Sequence, residues 1–198
     1  MNDSSKPATL PLFPLNAVVF PGGHLSLRVF EQRYLEMVKQ AIADETPFGI
    51  CAIREGTETG TPAVPHAVGT RVRVTGWDMP QTGILHIDTE AQERFVIRDI
   101  RTEPSGLLVG TVETVSHEAP AAVPGELELA VEILRHIVNE YGDVHFPTPH
   151  EFDNAVWVGY RLSEVLPLKL STRQNLLEMN DSVMRLRILT EFLKKQIN

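Results

Sequence analysis

The side chains of this sequence that could do chemistry are seven histidines, one cysteine and a scatter of carboxylates. The densest group is Asp143, His145, His150 and Glu151, which offers the imidazole and carboxylate donors that zinc takes. A metal site needs such donors on a frame that fixes their separation, as the two histidines of His-Glu-x-x-His are fixed on a helix. That pattern is absent, and Pro147 and Pro149 stand between the histidines, so the group reads as a solvated interhelical loop. Cys51 lies within the apolar run Phe48-Gly49-Ile50-Cys51-Ala52-Ile53, where a thiol stays protonated and inert. There is no Gly-x-Ser-x-Gly elbow. Ser171 opens Ser171-Thr172-Arg173-Gln174, a helix capping box that occupies its hydroxyl. No Gly-x-x-x-x-Gly-Lys-Ser/Thr loop is present to cradle a nucleotide, and Pro21-Gly22-Gly23 reads as a tight turn between strands. These residues predict a protein that is not an enzyme and that has no catalytic residues, no metal and no cofactor.

The elements that must position any remaining site follow from composition and period. A chain of 198 residues makes one large domain or two small ones and buries a core without staples. Lys plus Arg is 18 and Asp plus Glu is 26, a net charge of −8 that weighs against general nucleic-acid binding. A single cysteine allows no intrachain disulfide and fits a reducing compartment. No apolar run approaches the ~20 residues that span a bilayer. The start, Met1-Asn2-Asp3-Ser4-Ser5-Lys6-Pro7, is polar and lacks the pattern of a signal peptide. The expected location is the cytoplasm, with no membrane partner.

Up to about residue 115 the chain is rich in short β-like runs. Thr70 to Thr75 alternates with period two, and Phe48 to Ile53, Glu93 to Ile100 and Leu107 to Val115 also read as strands. Pro80-Gln81-Thr82-Gly83 and Pro104-Ser105-Gly106 are turn chemistry. One helix interrupts them, over about Glu31 to Ala43, with Phe30, Tyr34, Val38, Ala41 and Ile42 on one face and Pro47 blocking its continuation. Ala119-Pro120-Ala121-Ala122-Val123-Pro124-Gly125 is a linker, past which the period becomes 3.6. Leu127, Ala130, Val131, Leu134, Ile137, Val138 and Tyr141 form an apolar stripe, with Gly142 placed as a left-handed cap. A second helix is predicted from Thr148-Pro149-His150-Glu151, with Thr148 as cap, and ends at Leu166-Pro167. The last begins near Asn180-Asp181 and buries Val183, Leu186, Leu189, Phe192, Leu193 and Ile197. The predicted units are residues 10–118, β-rich, and 119–198, helical.

Apolar material in unusual places remains. Prolines keep Leu10-Pro11-Leu12-Phe13-Pro14-Leu15 extended, as an edge strand or as the lining of a groove for another extended peptide. Leu12, Phe13 and Phe30 read as core, whereas the polar tips of Tyr34 and Trp77 suit half-exposed positions.

The run Leu10-Pro11-Leu12-Phe13-Pro14-Leu15-Asn16-Ala17-Val18-Val19-Phe20-Pro21-Gly22, followed by Leu25-Ser26-Leu27-Arg28-Val29-Phe30-Glu31-Gln32-Arg33-Tyr34, closely resembles the opening of the N-terminal substrate-binding domain of the ATP-dependent Lon protease family. Val68-Gly69-Thr70, Glu93-Arg94-Phe95, Leu166-Pro167 and Arg173-Gln174-Asn175-Leu176-Leu177-Glu178 extend the likeness, although Ala91 stands where the family has glycine. The resemblance implies an α+β fold: a PUA-like antiparallel β-barrel with one inserted helix, then a C-terminal α-helical bundle. It implies a role in capturing protein substrates, without the ATPase and protease domains, so the chain is expected to stand alone as an adaptor or holdase for exposed apolar segments. A separate protease or chaperone would be its partner. The family motif selects Phe13, Pro14, Pro21, Glu31, Arg33, Tyr34 and Arg94 as substrate-binding residues. PUA-like barrels also occur in RNA-modifying proteins. On that alternative Arg71, Arg73, Arg94, Arg98 and Arg101 would contact phosphate, but alternate strand positions split them between two faces.

Overall fold

A computed structural model describes residues 7–142, 146 and 148–197. Asp143 and His145, half of the candidate metal group, lie outside the described residues, as does the side chain of Ile197. The chain divides into two compact units at Ser116/His117. The first contains β1 (Ala8–Leu15), β2 (His24–Val29), α1 (Gln32–Asp44), β3 (Phe48–Glu55), β4 (Val64–Gln81), β5 (Ile84–Thr102) and β6 (Leu108–Thr114). The second contains a short 3-10 turn (Gly125–Leu127), then α2 (Glu128–Tyr141), α3 (Ala155–Val165), α4 (Leu170–Glu178) and α5 (Ser182–Ile197).

The six strands form one sheet in the order β2-β5-β4-β3-β1-β6, and β5 also pairs with β6, so the sheet closes in a ring. All pairs are antiparallel except β1–β3, which is parallel and corrects the expected all-antiparallel sheet. The chain between these two strands passes through β2 and α1, and a connection of that length is what a parallel pair requires. β1 is not the edge strand that its prolines suggested. It meets β6 over Ala8–Leu12 and β3 over Leu12–Leu15, changing partner at Leu12. Pro11 therefore pairs on one side only and Pro14 on the other, which leaves each proline an open flank for its missing N–H.

Alternation along β1 sends its side chains to two cores. Phe13 and Leu15 join Val29, Tyr34, Leu35, Val38, Phe48, Ile50, Val72, Leu85 and Ile87. Leu10 and Leu12 join Cys51, Phe95, Leu108 and Val112. The Phe95 ring lies so close to β4 that a Cβ on Gly69 would stand 2.7 Å from it and 2.5 Å from the Ile50 carbonyl oxygen. Glycine is needed there for close approach. β4 and β5 run well past the predicted strands because bulges at Thr70/Val72 and Val74/Gly76 interrupt the alternation without ending the pairing.

α1 buries Tyr34, Leu35, Met37, Val38 and Ala41. Phe30 precedes the helix and is 55% exposed, so it is not part of the core face expected of it. α1 ends at Glu45, whose left-handed backbone (φ 53°) directs its N–H to the carbonyls of Ala41 and Ile42.

The helical unit departs from the sequence reading at its caps. α3 begins at Ala155, not at Pro149: Asn154 is the cap, its side chain accepting from the Val156 N–H at 3.1 Å. Glu151 instead accepts from the Asn154 amide. Ser171 does not cap α4, which starts one residue earlier with Lys169 as its cap. Gly142 has positive φ but extended ψ (73°, −179°), so it is not a left-handed cap. Tyr141 turns to solvent at 57% exposure and leaves the α2 stripe.

Arg185 of α5 is fully buried. Its guanidinium donates to both Glu118 carboxylate oxygens and to the Leu176 and Met179 carbonyls, and stacks 4.4 Å over Tyr160. Glu118, placed by the sequence reading at the end of the first unit, is thus a centre of the second.

Candidate functional site

Four of the seven residues singled out from sequence meet at the start of α1. The Phe13 and Tyr34 rings stack with centroids 4.0 Å apart, and Phe48 flanks Phe13 at 6.3 Å. The Arg33 guanidinium lies 4.7 Å from the centre of the Tyr34 ring, pairs with Glu31 at 3.0 Å and donates to the Gly106 carbonyl at 3.3 Å. Burial raises the Tyr34 hydroxyl pKa, the Arg33 charge draws it back, and Glu31 adds to the rise. The other three are placed elsewhere on the frame. Pro14 is buried opposite Cys51 in the β1–β3 ladder. Pro21 is half-buried in a turn whose neighbours Gly22 and Gly23 bond to Ala91 at 2.8 Å. Arg94 is buried on β5 opposite Thr70. With Phe13, Arg33 and Tyr34 at 6%, 7% and 3% exposure, the cluster has little surface to offer a ligand. What it does is clamp α1 to β1 and to the turn before β6.

Phe30 is exposed beside this cluster, and a second open apolar surface, flanked by grooves, lies at the other end of α1. β3 begins at Phe48, opposite Val72, so β4 beyond Val72 and its partner β5 overhang the ring. Trp77, on this overhang, is 59% exposed, and Met79 is 39% exposed. Two grooves flank Trp77. One, of about 530 Å³, is bounded by Ala41, Ile42 and Glu45 of α1 and by Arg73 to Trp77 of β4. The other, of about 450 Å³, lies between Leu27 and Arg28 of β2, Trp77 and Asp78 of β4, and His86 to Asp88 of β5. A tryptophan facing water between two clefts presents a large rigid contact surface with a single polar handle. Period alone marks strand up to Thr75. The signal for the site is that the alternation lapses there while large apolar residues, Trp77 and Met79, persist among polar neighbours.

The electrostatics separate the two readings of the arginines. Arg71 pairs with Glu93 at 3.0 Å, Arg98 with Glu113 at 2.6 Å and Arg101 with Glu103 at 3.1 Å, while Arg94 is buried. These four are engaged within the sheet, whereas Arg73 is exposed on β4 opposite Glu90. No group of three or more metal-ligating side chains occurs among the described residues. His150 bonds the Phe146 carbonyl at 2.7 Å and packs against Phe152 and Trp157. Burial pushes the Cys51 thiol far above its ordinary range, which removes it as a nucleophile. Among the described residues no helix is long and apolar enough to cross a membrane.

Residues 9–195 match the family model of the ATP-dependent protease La (LON) substrate-binding domain. The Lon protease of Cytophaga hutchinsonii is 23% identical across 100% of this chain and 25% of its own length. The Lon protease of Anaeromyxobacter dehalogenans is 40% identical over 76 residues, 37% of this chain and 9% of its own. The chain thus spans a quarter or less of these relatives. The crystal structure of a Lon N-terminal domain protein from Xanthomonas campestris has a TM-score of 0.77 at 34% identity, covering 92% of this chain and 96% of that one. The N-terminal domain of the Mycobacterium avium complex Lon protease has a TM-score of 0.65 at 15% identity, over 93% and 97%, and shows a shared fold.

Proposed function

The chain belongs to the ATP-dependent protease La (LON) substrate-binding domain family, and from that premise we propose that it captures exposed apolar segments of other proteins without chemistry of its own, as an adaptor or holdase. The observation that carries this reading is Trp77, 59% exposed between two grooves on the β4–β5 overhang. Burying apolar surface contributes ~25 cal/mol per Å², and ordering a flexible client offsets much of it, so affinity settles at about micromolar. The motif residues Phe13, Glu31, Arg33 and Tyr34 serve this site by holding α1, whose far end walls one groove. Pro14 and Arg94 belong to the ring of strands that carries the overhang, and Pro21 to the turn between β1 and β2.

The test uses the chain's two tryptophans. In a Trp157→Phe background Trp77 is the only tryptophan, and with indole-selective excitation a tryptophan-free, reduced, alkylated, permanently unfolded protein should shift its fluorescence to the blue with a micromolar Kd. Trp77→Ala, in the otherwise native chain, should raise Kd roughly 10- to 30-fold, the ~1.4–2 kcal/mol that an anchoring tryptophan supplies. The melting temperature should stay unchanged. Undiminished capture by Trp77→Ala overturns this site.

A further inference from the structure

We infer that the groove between α1 and the overhang receives its client as an added β-strand, and that it selects an extended apolar segment carrying a basic residue. This inference rests on the capture reading above and names its substrate class. Beyond Val72, the edge of β4 away from β5 has no strand beside it among the described residues. The place is vacant because Pro47, just before β3, turns the chain out of the sheet and into the end of α1. A segment lying there would continue the line of β3. Unpaired N–H and C=O groups on such an edge are a template for an incoming strand. Pro80 has no N–H to offer, so the pairable stretch runs from Arg73 to Met79, about 20 Å at ~3.4 Å per residue. Ile42, Val74 and Trp77 would take alternate side chains of the visitor.

Charge sets the remaining preference. α1 points its negative pole at this groove, places Glu45 in its lining and has no basic residue in its last turn. Lys39 stands more than a turn back. A helix C-terminus ordinarily attracts a cation, and here the Glu45 carboxylate reinforces that attraction. Arg73 stands on the opposite wall, with Glu90 across the ladder, so the charge preference belongs to the α1 end of the groove. The β2 edge is open as well, but neither α1 nor its acidic end borders the groove that β2 lines.

The probe is a fluorescein-labelled eight-residue peptide alternating valine and threonine with one central lysine, measured by anisotropy against the full chain. N-methylating alternate amides gives two peptides, one for each edge of the bound strand. We expect one to bind like the parent and the other to lose ~10-fold or more, since only one row of amides faces β4. Replacing the lysine by glutamate should cost ~10-fold at low salt, and Glu45→Gln should shrink that difference to ~3-fold or less. Equal binding of the two methylated peptides overturns strand addition. Indifference to the lysine overturns the charge preference. If an unfolded client still shifts Trp77 while both methylated peptides bind alike, capture stands and this inference fails; if neither client nor peptide shifts it, both fail. A concentration-dependent dimer that the peptide does not displace would assign the edge to a second copy and also overturn the inference.

Discussion

Arg185 is the residue on which the helical unit depends most. A fully buried guanidinium survives because Glu118, two carbonyls and the Tyr160 ring replace the water it gave up, and the Tyr160 hydroxyl donates to the same carboxylate at 2.7 Å. Removing one partner leaves a charge buried alone. Arg185→Met should therefore lower the unfolding free energy by roughly 3–5 kcal/mol in urea denaturation, and adding Glu118→Leu should restore part of the loss. None of this is legible in the sequence: Arg185 sits in an ordinary amphipathic helix, and its partners lie up to 67 positions away. Tyr34 and Phe30 show the same limit at the first unit. Both are aromatic and four apart, yet Tyr34 stacks on Phe13 inside the core while Phe30 lies outside the helix and faces water. Helical period ranks such residues by face only once the first helical residue is known.

Elements were more legible where period ruled them and less where local hydrogen bonds did. The run Phe48 to Ile53 reads as a strand buried on both faces, and all six residues are buried in β3. The caps at Thr148 and Ser171 follow from spacing alone, whereas the start of α3 is set by Asn154, whose neighbour Ala155 bonds the Ala121 carbonyl at 2.7 Å. A long-range contact thus decided a local boundary. In the sheet, the close approach of Phe95 to the β3 and β4 backbones makes Gly69 a fixed point. Gly69→Ala should destabilise the chain by about 3 kcal/mol, because the new methyl meets a backbone carbonyl that cannot swing aside. A thermal melt against Gly76→Ala, where the nearest atom is an Asp88 carboxylate oxygen at 3.4 Å, checks it: Gly76→Ala should melt close to wild type.

For the whole molecule, the change from period two to 3.6 across the proline-rich stretch is visible in the sequence, and the chain divides into its two compact units at Ser116/His117, just before it. The candidate site was visible only in part. Trp77 drew attention as a half-exposed aromatic, but the groove beside it exists because β4 outruns β3, a difference in strand length that bulges hide from period analysis. Net charge acts at this scale too. With −8 overall and Arg71, Arg98 and Arg101 already paired to carboxylates, single-stranded RNA should not be retained in filter binding even at low salt. Retention that falls steeply with added salt would restore the RNA reading.

The partner switch of β1 at Leu12 bears on synthesis. β1, made before the other strands of its unit, is completed by the last of them, β6, since Ala8 to Leu12 pair with Val112 to Leu108. Until about residue 114 has emerged, a β1 flank destined for the centre of a closed sheet waits uncovered, and non-local pairing of this kind is slow and prone to aggregation. The nascent chain therefore carries, for the time needed to translate roughly a hundred residues at ~5–20 per second, the same kind of exposed apolar edge that the finished protein is proposed to recognise in others.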